Sequence, residues 1–262
     1  MLQSLSVAAT GMQAQETRTE VIANNLANAS TPGFKVSRAR FQDLLYINER
    51  EAGTQSSPVS YVPTGKSIGL GTRTAAVDQI FTEGELENTG NPLDLAVEGD
   101  GLFQISMPDG SIAYTRDGSF RLDQNGRLVT LDGYPLLPGI NIPQGARNPT
   151  VGPDGTVSVQ VNNQTVPTQI GQVQLVRFLN PAGLMPIGQN LYLESEGAGP
   201  PQVGIASENG FGVIMQGFLE MPNESVVQEM VGLIEAQRAY EASSKAVSIG
   251  DNMQSIANNL VK

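Results

Sequence analysis

The sequence predicts an α+β fold: long N- and C-terminal α-helices form a coiled-coil assembly domain, and a mainly antiparallel all-β domain lies between them. Three observations support this prediction. Both ends of the chain are apolar-periodic and poor in Gly and Pro, the middle is rich in short turn motifs, and the pentapeptide Ile-Ala-Asn-Asn-Leu occurs at residues 22–26 and again at 256–260. Matching helices at opposite chain ends are expected to pair with each other or with other copies of the chain. This pattern favours an assembling subunit over a self-contained catalyst.

The N-terminal helix is predicted over residues 4–28. Leu5, Met12 and Leu26 lie at multiples of seven residues from one another, which is the spacing of a coiled-coil seam, although polar residues interrupt it in the middle. The Pro-Gly pair at 32–33 cannot continue a helix and marks its end.

The C-terminal helix is predicted to begin at Asn223 or Ser225 and to run to the end of the chain. At 1.5 Å per residue it would be about 57 Å long, which is more than one small core can cover. The residues of its predominantly apolar stripe recur at alternating intervals of four and three residues, and this pattern then restarts, as at a coiled-coil stutter. The predicted seam consists of Met230, Leu233, Gln237, Tyr240 and Val247, followed by Ile249, Met253, Ile256 and Leu260.

The middle of the chain has the turn chemistry of an antiparallel meander. Asp-Gly or Asn-Gly pairs begin at residues 100, 109, 117, 125 and 132, with strand-like runs between them. These pairs readily adopt the positive φ angles of tight hairpin turns. We therefore expect an all-β domain over 71–222, an extended Ser-, Pro- and Gly-rich connector over 36–70, and a helical domain built from 1–35 with 223–262.

The composition excludes several function classes. The chain has no Cys, His or Trp, so disulfides, zinc-thiolate sites and most catalytic triads are excluded. Its net charge is −11, and the middle of the chain carries nearly all of it, because residues 36–225 hold 20 acids and 10 bases. Such a body repels nucleic acid and anionic lipid. We expect no cleaved signal peptide, no direct membrane insertion, no cofactor and no metal site.

One catalytic alternative rests on Glu83, Glu85 and Glu87. If these residues lie on a strand they share one face, where paired carboxylates would suit glycoside chemistry. A solvated acidic face is the more common explanation of such a pattern. A carboxylate-based hydrolase and a secreted adhesin with coiled-coil ends are therefore kept as alternatives from other classes.

Two groups of residues in the helices have open interpretations. Asn24, Asn25 and Asn28 either accompany fraying at the helix end or make polar contacts between packed helices. The glycines at positions 11, 232 and 250 each cost about 0.8–1 kcal/mol relative to Ala inside a helix. Close helix–helix approach would compensate this cost, and flexible joints are the alternative.

Three motifs in the order of the chain resemble those of bacterial flagellar rod, hook and hook-associated proteins. The resemblance covers essentially the whole chain, and within the family the features that favour a subunit of the distal rod are its length, the segment 62–73 and the segment 180–192. A hook or proximal rod protein is the alternative. The motifs are Ala23-Asn-Asn-Leu-Ala-Asn28 with Thr31-Pro-Gly-Phe-Lys35; Asn91-Pro-Leu-Asp-Leu-Ala-Val-Glu-Gly-Asp-Gly101 with Tyr114-Thr-Arg-Asp-Gly-Ser-Phe120; and Ile234-Glu-Ala-Gln-Arg-Ala-Tyr240 with Ser244-Lys245.

The resemblance implies a structural subunit that polymerises through its terminal helices into a hollow helical drive shaft. It implies export through the flagellar type III channel and a place in the basal body that spans the periplasm. The implied partners are further copies of the chain, proximal rod proteins, hook protein, surrounding ring proteins and a rod cap. The expected assembly interface is Leu5, Met12, Ile22, Asn24, Asn25, Leu26, Asn28 and Phe34 from the N-terminal part, and Met230, Leu233, Gln237, Tyr240, Val247, Ile249, Met253, Ile256 and Leu260 from the C-terminal helix.

Overall fold

The computed structural model describes residues 2–51, 55–57, 60–61, 63–161 and 167–260 of the 262-residue chain. Within these residues an N-terminal helix, a central and mostly antiparallel β region and a C-terminal helix follow one another, so the α+β class is confirmed. Helix α1 is Leu2–Ala27 and helix α2 is Val226–Leu260. Of the two predicted starts of α2, Ser225 lies one residue before the helix, and its carbonyl accepts the N–H of Glu229 at 3.1 Å. The helix does not begin at Asn223, whose side-chain amide donates to the backbone oxygens of Ile80 and Thr82.

The strands are short and are numbered in chain order. They are β1 Ser37–Asp43, β2 Tyr46–Arg50, β3 Gln55–Ser57, β4 Ser60–Tyr61, β5 Lys66–Gly69, β6 Thr72–Gln79, β7 Leu86–Asn88, β8 Leu95–Glu98, β9 Leu102–Ser106, β10 Ile112–Thr115, β11 Arg121–Leu122, β12 Leu128–Val129, β13 Leu136–Leu137, β14 Ala146–Val151, β15 Thr156–Val161, β16 Thr168–Gln172, β17 Gln174–Arg177, β18 Met185–Gly188, β19 Leu191–Leu193, β20 Gln202–Ile205, β21 Val213–Gln216 and β22 Phe218–Glu220. A single 3₁₀ turn, Pro181–Gly183, accompanies them in the described part of the chain.

The chain divides into two compact units. The helical unit contains Met1–Ala27, Ser37–Asp78 and Ser225–Lys262, and the β unit contains Asn28–Val36 and Gln79–Glu224. Residues 28–36 therefore cluster with the central strands. Residues 36–70, for which the sequence predicts an extended connector, hold strands β1 to β5, and these cluster with the helices.

Strands β1 to β6 pair with one another within residues 37–79, and we call this segment the ribbon; its described residues up to Asp78 belong to the helical unit. Strand β1 pairs with β6, β2 with β5 and β3 with β4, so the three strand pairs follow one another as in one long hairpin. Backbone hydrogen bonds from Leu44 to Gly71 and from Leu70 to Leu45 continue the pairing between the β1–β6 pair and the β2–β5 pair. The base of the ribbon lies along α1, because Thr10 Oγ1 accepts the backbone N–H of Thr72 at 3.3 Å.

The β unit is built on a seven-stranded antiparallel sheet in the order β18-β19-β10-β9-β17-β20, with β13 also paired to β9. Both faces of the sheet are covered, because successive residues of β9 point to opposite sides and Leu102 to Ile105 are all buried. Phe103 and Ile105 face one apolar core, while Leu102 faces a second, smaller core with Tyr114 and Phe178. Burial of these side chains is the main stabilising contribution.

The predicted turn chemistry is found at most of the Asp-Gly and Asn-Gly pairs. Gly110, between the paired strands β9 and β10, and Gly126, between β11 and β12, have positive φ, as does Gly133. Gly101 also has positive φ, but it does not form a hairpin turn, because β8 before it pairs with β21. Gly118 is the exception, since its φ is not positive and a Cβ there would lie 1.6 Å from the carbonyl oxygen of Leu95. At this position glycine is required by close backbone approach and not by a hairpin turn.

Neither helix contains, over its described residues, an eighteen-residue stretch apolar enough to serve as a membrane span.

Candidate assembly interface

Helix α2 turns small residues towards α1. A methyl group placed on Gly250 would lie 2.8 Å from Leu5 Cδ2, one on Gly11 would lie 3.6 Å from Ser243 Oγ, and one on Gly232 would lie 3.4 Å from Ile22 Cδ1. The order of these contacts shows that the two helices run antiparallel. All three glycines therefore face the other helix, but close approach accounts only for Gly250, because a methyl group on Gly11 or Gly232 would make an ordinary van der Waals contact.

The large apolar side chains of α2 face away from this seam. Nine of them are exposed, and each exposes at least 43% of its surface: Val226, Val227, Met230, Val231, Ile234, Tyr240, Ile249, Met253 and Ile256. Gln237 is exposed too, while Leu233 and Val247 are half-buried. Because exposed apolar side chains in this number on one helix mark interaction surfaces, α2 is a candidate interaction surface.

The predicted interface residues of the N-terminal part are less exposed. Ile22 is buried, and Leu5, Met12, Leu26, Asn28 and Phe34 are half-buried. Asn24 is exposed but has an interaction partner. The side chain of Leu260 lies outside the described residues.

Asn25 fits neither interpretation given above. Its side chain is 5% exposed, and its amide exchanges two hydrogen bonds with the backbone of Ser37, at 2.9 and 3.1 Å. The side chain thus fixes β1 to the end of α1. At Asn28 the carbonyl and the side-chain oxygen both accept bonds from Thr31, which closes the turn after the helix.

The two Ile-Ala-Asn-Asn-Leu copies lie at opposite ends of the helix pair. Ile22 in the first copy approaches Gly232 near the start of α2. The second copy begins roughly 24 residues, or about 36 Å, further along α2. Ile22 is buried whereas Ile256 is 60% exposed, so equivalent residues of the repeat have different surroundings.

Residues 28–36 are bound into the β unit. Gly33 has φ +70°, its N–H donates to the carbonyl of Glu220 at 2.7 Å, and a Cβ there would lie 2.5 Å from the backbone N of Asp117. Asn190 donates to the carbonyl of Pro32 at 3.1 Å, and Val36 donates to Asn223 Oδ1 at 3.1 Å. The Pro-Gly-Phe-Lys motif therefore attaches the segment that follows α1 to the β unit, and we call residues 28–36 the joint.

A buried charge cluster lies at this joint. Glu220, with no exposed side-chain surface, accepts bonds from Lys35 Nζ at 2.7 Å, from Arg116 Nε and from the N–H of Gly84 at 2.9 Å. Lys35 also donates to the carbonyl of Thr82 at 2.6 Å. Burial lowers the pKa of Lys35, and the neighbouring Glu220 carboxylate opposes this effect.

Sequence reasoning did not identify this cluster. Lys35 and Arg116 lie inside two of the motifs quoted above, but Glu220 lies in none. A Lys and an Arg held at fixed places in apolar surroundings imply a buried acid, because buried cations are paired. These two cations were therefore the sequence signal that could have indicated the cluster.

Of the three glutamates that carried the hydrolase alternative, Glu87 lies on strand β7, whereas Glu83 and Glu85 lie before it. Glu83 accepts the N–H of Gly99 at 3.1 Å, and Glu85 and Glu87 are exposed. Over the residues described, no three acidic side chains converge to hold a metal ion. The arrangement resembles a solvated acidic face.

Three family profiles match the chain in sequence order. The profile described as flagella basal body rod protein matches residues 5–35, the flagellar hook protein FlgE/F/G D1 domain matches 96–159, and the flagellar basal body rod FlgEFG protein C-terminal matches 215–260. The first covers most of α1 and the joint, and the last covers α2.

Relatives match over nearly their whole length. The chain is 47% identical over 253 residues to the flagellar basal-body rod protein FlgG of Buchnera aphidicola subsp. Schizaphis graminum, with 97% of each chain covered. It is 46% identical to FlgG of Borreliella burgdorferi, with 99% of each covered, and 45% identical to FlgG of Agrobacterium fabrum, with 100% of each covered. The chain therefore belongs to the flagellar basal-body rod protein family, in which it is most like the distal rod protein, and it is a structural subunit of the flagellar distal rod.

Proposed function

We propose that this subunit polymerises through its terminal helices into a hollow helical tube that transmits torque from motor to hook and forms part of the export channel. The proposal rests on the placement of side chains on α2: small residues face α1, and nine large apolar residues are exposed to solvent. In this antiparallel pair, α1 covers one face of α2 and the apolar residues on the other face stay exposed. A coiled-coil assembly domain would arise when α2 of one subunit packs on helices of its neighbours.

The ribbon would brace neighbouring subunits. A two-stranded ribbon is at best marginally stable by itself, and this one exposes Phe41, Leu45, Tyr46 and Ile47. Contact with other subunits would bury these side chains and stiffen the shaft. In this scheme the terminal helices form the assembly domain. The ribbon, which extends the predicted 36–70 connector through β6, forms the brace, and the remaining strands with residues 28–36 form the outer β domain.

The remaining parts of the proposal concern partners and location. The family is structural, which supports a role without enzymatic activity. The tube would join proximal rod proteins at one end and hook protein at the other, would grow beneath a rod cap and would rotate inside ring proteins. It would span the periplasm after export through the flagellar type III channel. The acidic β unit would suit rings with basic bores, and affinity for such rings would then fall with added salt.

Polymerisation of the purified chain tests the central claim. We expect filaments by electron microscopy above a critical concentration. The double substitution Ile249→Asp with Met253→Asp places charges on the exposed face of α2 and should abolish filaments while leaving the far-UV spectrum unchanged. Leu122→Asp, on an exposed position of β11, is the matched control. Filaments formed equally well by the α2 variant would contradict the proposal.

A further inference from the structure

We infer that a cleft in the β unit of one subunit receives the exposed apolar segment around Leu45 in the ribbon of a second copy of the chain. This inference rests on the proposed function, and it identifies the surface against which the ribbon braces. It follows from the shape of the cleft, from its charges and from the distribution of exposed apolar side chains.

The cleft has a volume of about 430 Å³ and opens onto the smaller apolar core of the β unit. This volume lies within the range of about 300–1,000 Å³ found for binding pockets. Leu179 stands at its edge with 88% of its surface exposed. The apolar residues that line it are Phe81, Leu102, Val176, Phe178, Leu179 and Pro181. A cleft of this kind gains stability when an apolar group displaces its water.

The charges of the cleft do not select an ion. Lys35, Arg116 and Arg177 line it together with Glu83 and Asp100, and Glu220 lies bonded to Lys35 and Arg116. Three positive and three negative groups cancel. An uncharged apolar side chain therefore suits the cleft better than an anion or a cation does.

The ribbon offers the matching group. Leu45, immediately before β2, exposes 81% of its side chain, and Ile47 exposes 46%. Among the residues described, Leu179 and Leu45 are the two most exposed large apolar side chains. Contact between them would bury the surface that is most costly to leave in water.

The net charges of the β unit and of the ribbon determine which part of a second copy can approach the cleft. Residues 80–224 hold 16 acids and 5 bases, whereas the ribbon, residues 37–79, holds 4 acids and 5 bases. The β unit of another copy would meet the cleft with like charge, while the ribbon is slightly basic and attracted. The terminal helices are already engaged in the proposed tube. The ribbon is therefore the occupant.

Thiol cross-linking between copies tests this contact against a clean background, because the chain has no cysteine. Copies carrying Leu45→Cys are mixed with copies carrying Leu179→Cys, polymerised and treated with a short bis-maleimide. Since each copy has one thiol, only contact between different copies yields the Leu45–Leu179 product. The matched control pairs Leu45→Cys with Leu131→Cys, which is an exposed leucine beside another cleft of the same unit.

We expect at least a tenfold greater yield of the mixed cross-linked dimer from the Leu45 and Leu179 positions than from the control pair. Filaments that form normally but give equal yields, or no such dimer, would overturn the inference and leave the proposed function intact. If the wild-type chain forms no filaments, the proposed function fails and the inference fails with it.

A second measurement does not depend on cross-linking. Leu179→Asp should raise the critical concentration for polymerisation about tenfold, because it places a charge in the apolar contact. Leu131→Asp should leave the critical concentration unchanged. An unaltered critical concentration for Leu179→Asp would also overturn the inference. Circular dichroism confirms that each variant is folded, as expected for substitutions of exposed side chains.

Discussion

Replacing Glu220 by glutamine should destabilise the β unit far more than replacing Lys35 by methionine. In the native cluster two cations share one carboxylate, and the side chains of Glu220, Lys35 and Arg116 are 0%, 2% and 5% exposed. Glu220→Gln leaves two buried positive charges without the carboxylate that both contact, and only the weaker Coulombic attraction of Glu83 remains for Lys35. Lys35→Met leaves Arg116 and Glu220 as a balanced pair.

The magnitudes follow from these charges and bonds. Removing one partner of a buried ion pair costs about 3–5 kcal/mol, so we expect at least this loss of unfolding free energy for Glu220→Gln. Lys35→Met removes one bond to Glu220 and leaves the carbonyl of Thr82 without the lysine donor, so we expect about 1–3 kcal/mol. The two variants should therefore differ by about 2 kcal/mol.

Urea unfolding followed by circular dichroism measures both losses through linear extrapolation. Arg127→Gln is the control, because it breaks an exposed pair with Asp123 in the same unit and should cost about 0–1 kcal/mol. A loss for Lys35→Met equal to that for Glu220→Gln would refute the reasoning, since it would show that the charge balance of the cluster does not determine its stability.

Three further predictions concern the joint, pH and the helix pair. Gly33→Ala should cost about 2–4 kcal/mol in urea unfolding, because it adds a clash with Asp117 to left-handed strain, whereas Gly90→Ala, with similar φ and open space, should cost about 1–2 kcal/mol. Equal losses would contradict the close approach. Burial raises the pKa of Tyr192 to about 12, so the stability from its buried neutral form is complete below pH 10 and lost as pH rises through 12. Ultraviolet titration should show a late ionisation of Tyr192 that Tyr192→Phe removes, while the ionisation of Tyr114, whose pKa burial also raises, remains; an unchanged titration would contradict this. Gly11→Ala should raise helix-pair stability in thermal melts by about 0.8–1 kcal/mol, because its methyl group has room; a lower melting temperature would contradict this.

The sequence predicted the classes of structure better than their contacts. Helix periodicity placed α1 and α2 within a few residues, because it depends on local spacing. The seam was harder to predict. Large residues such as Met230 and Ile249 form the conspicuous stripe, yet the intrachain contact uses Gly232 and Gly250. A stripe shows that a helix face is apolar and does not show which partner covers it.

Long-range contacts and irregular segments were not predictable for a related reason. The cluster of Lys35, Arg116 and Glu220 joins residues far apart in the chain, and only the folded backbone brings them together. The segment 36–70 has Ser, Pro and Gly where regular alternation would signal strands, so β1 to β5 left a weak pattern. The roles of Asn25 at Ser37 and of Gly118 at Leu95 likewise depend on backbone approach.

The joint at Glu220 also has a kinetic consequence. The segment leaving α1 is bonded through Gly33 and Lys35 to the last residue of β22, and Val36 is bonded to Asn223, which lies three residues before α2. The two helices are thus tethered through neighbouring attachment points, and their pairing is an intramolecular reaction. Short tethers of this kind give effective concentrations in the millimolar range. A dilute subunit can therefore bring its two helices together before it meets another copy, while separate helices at the same concentration would remain apart.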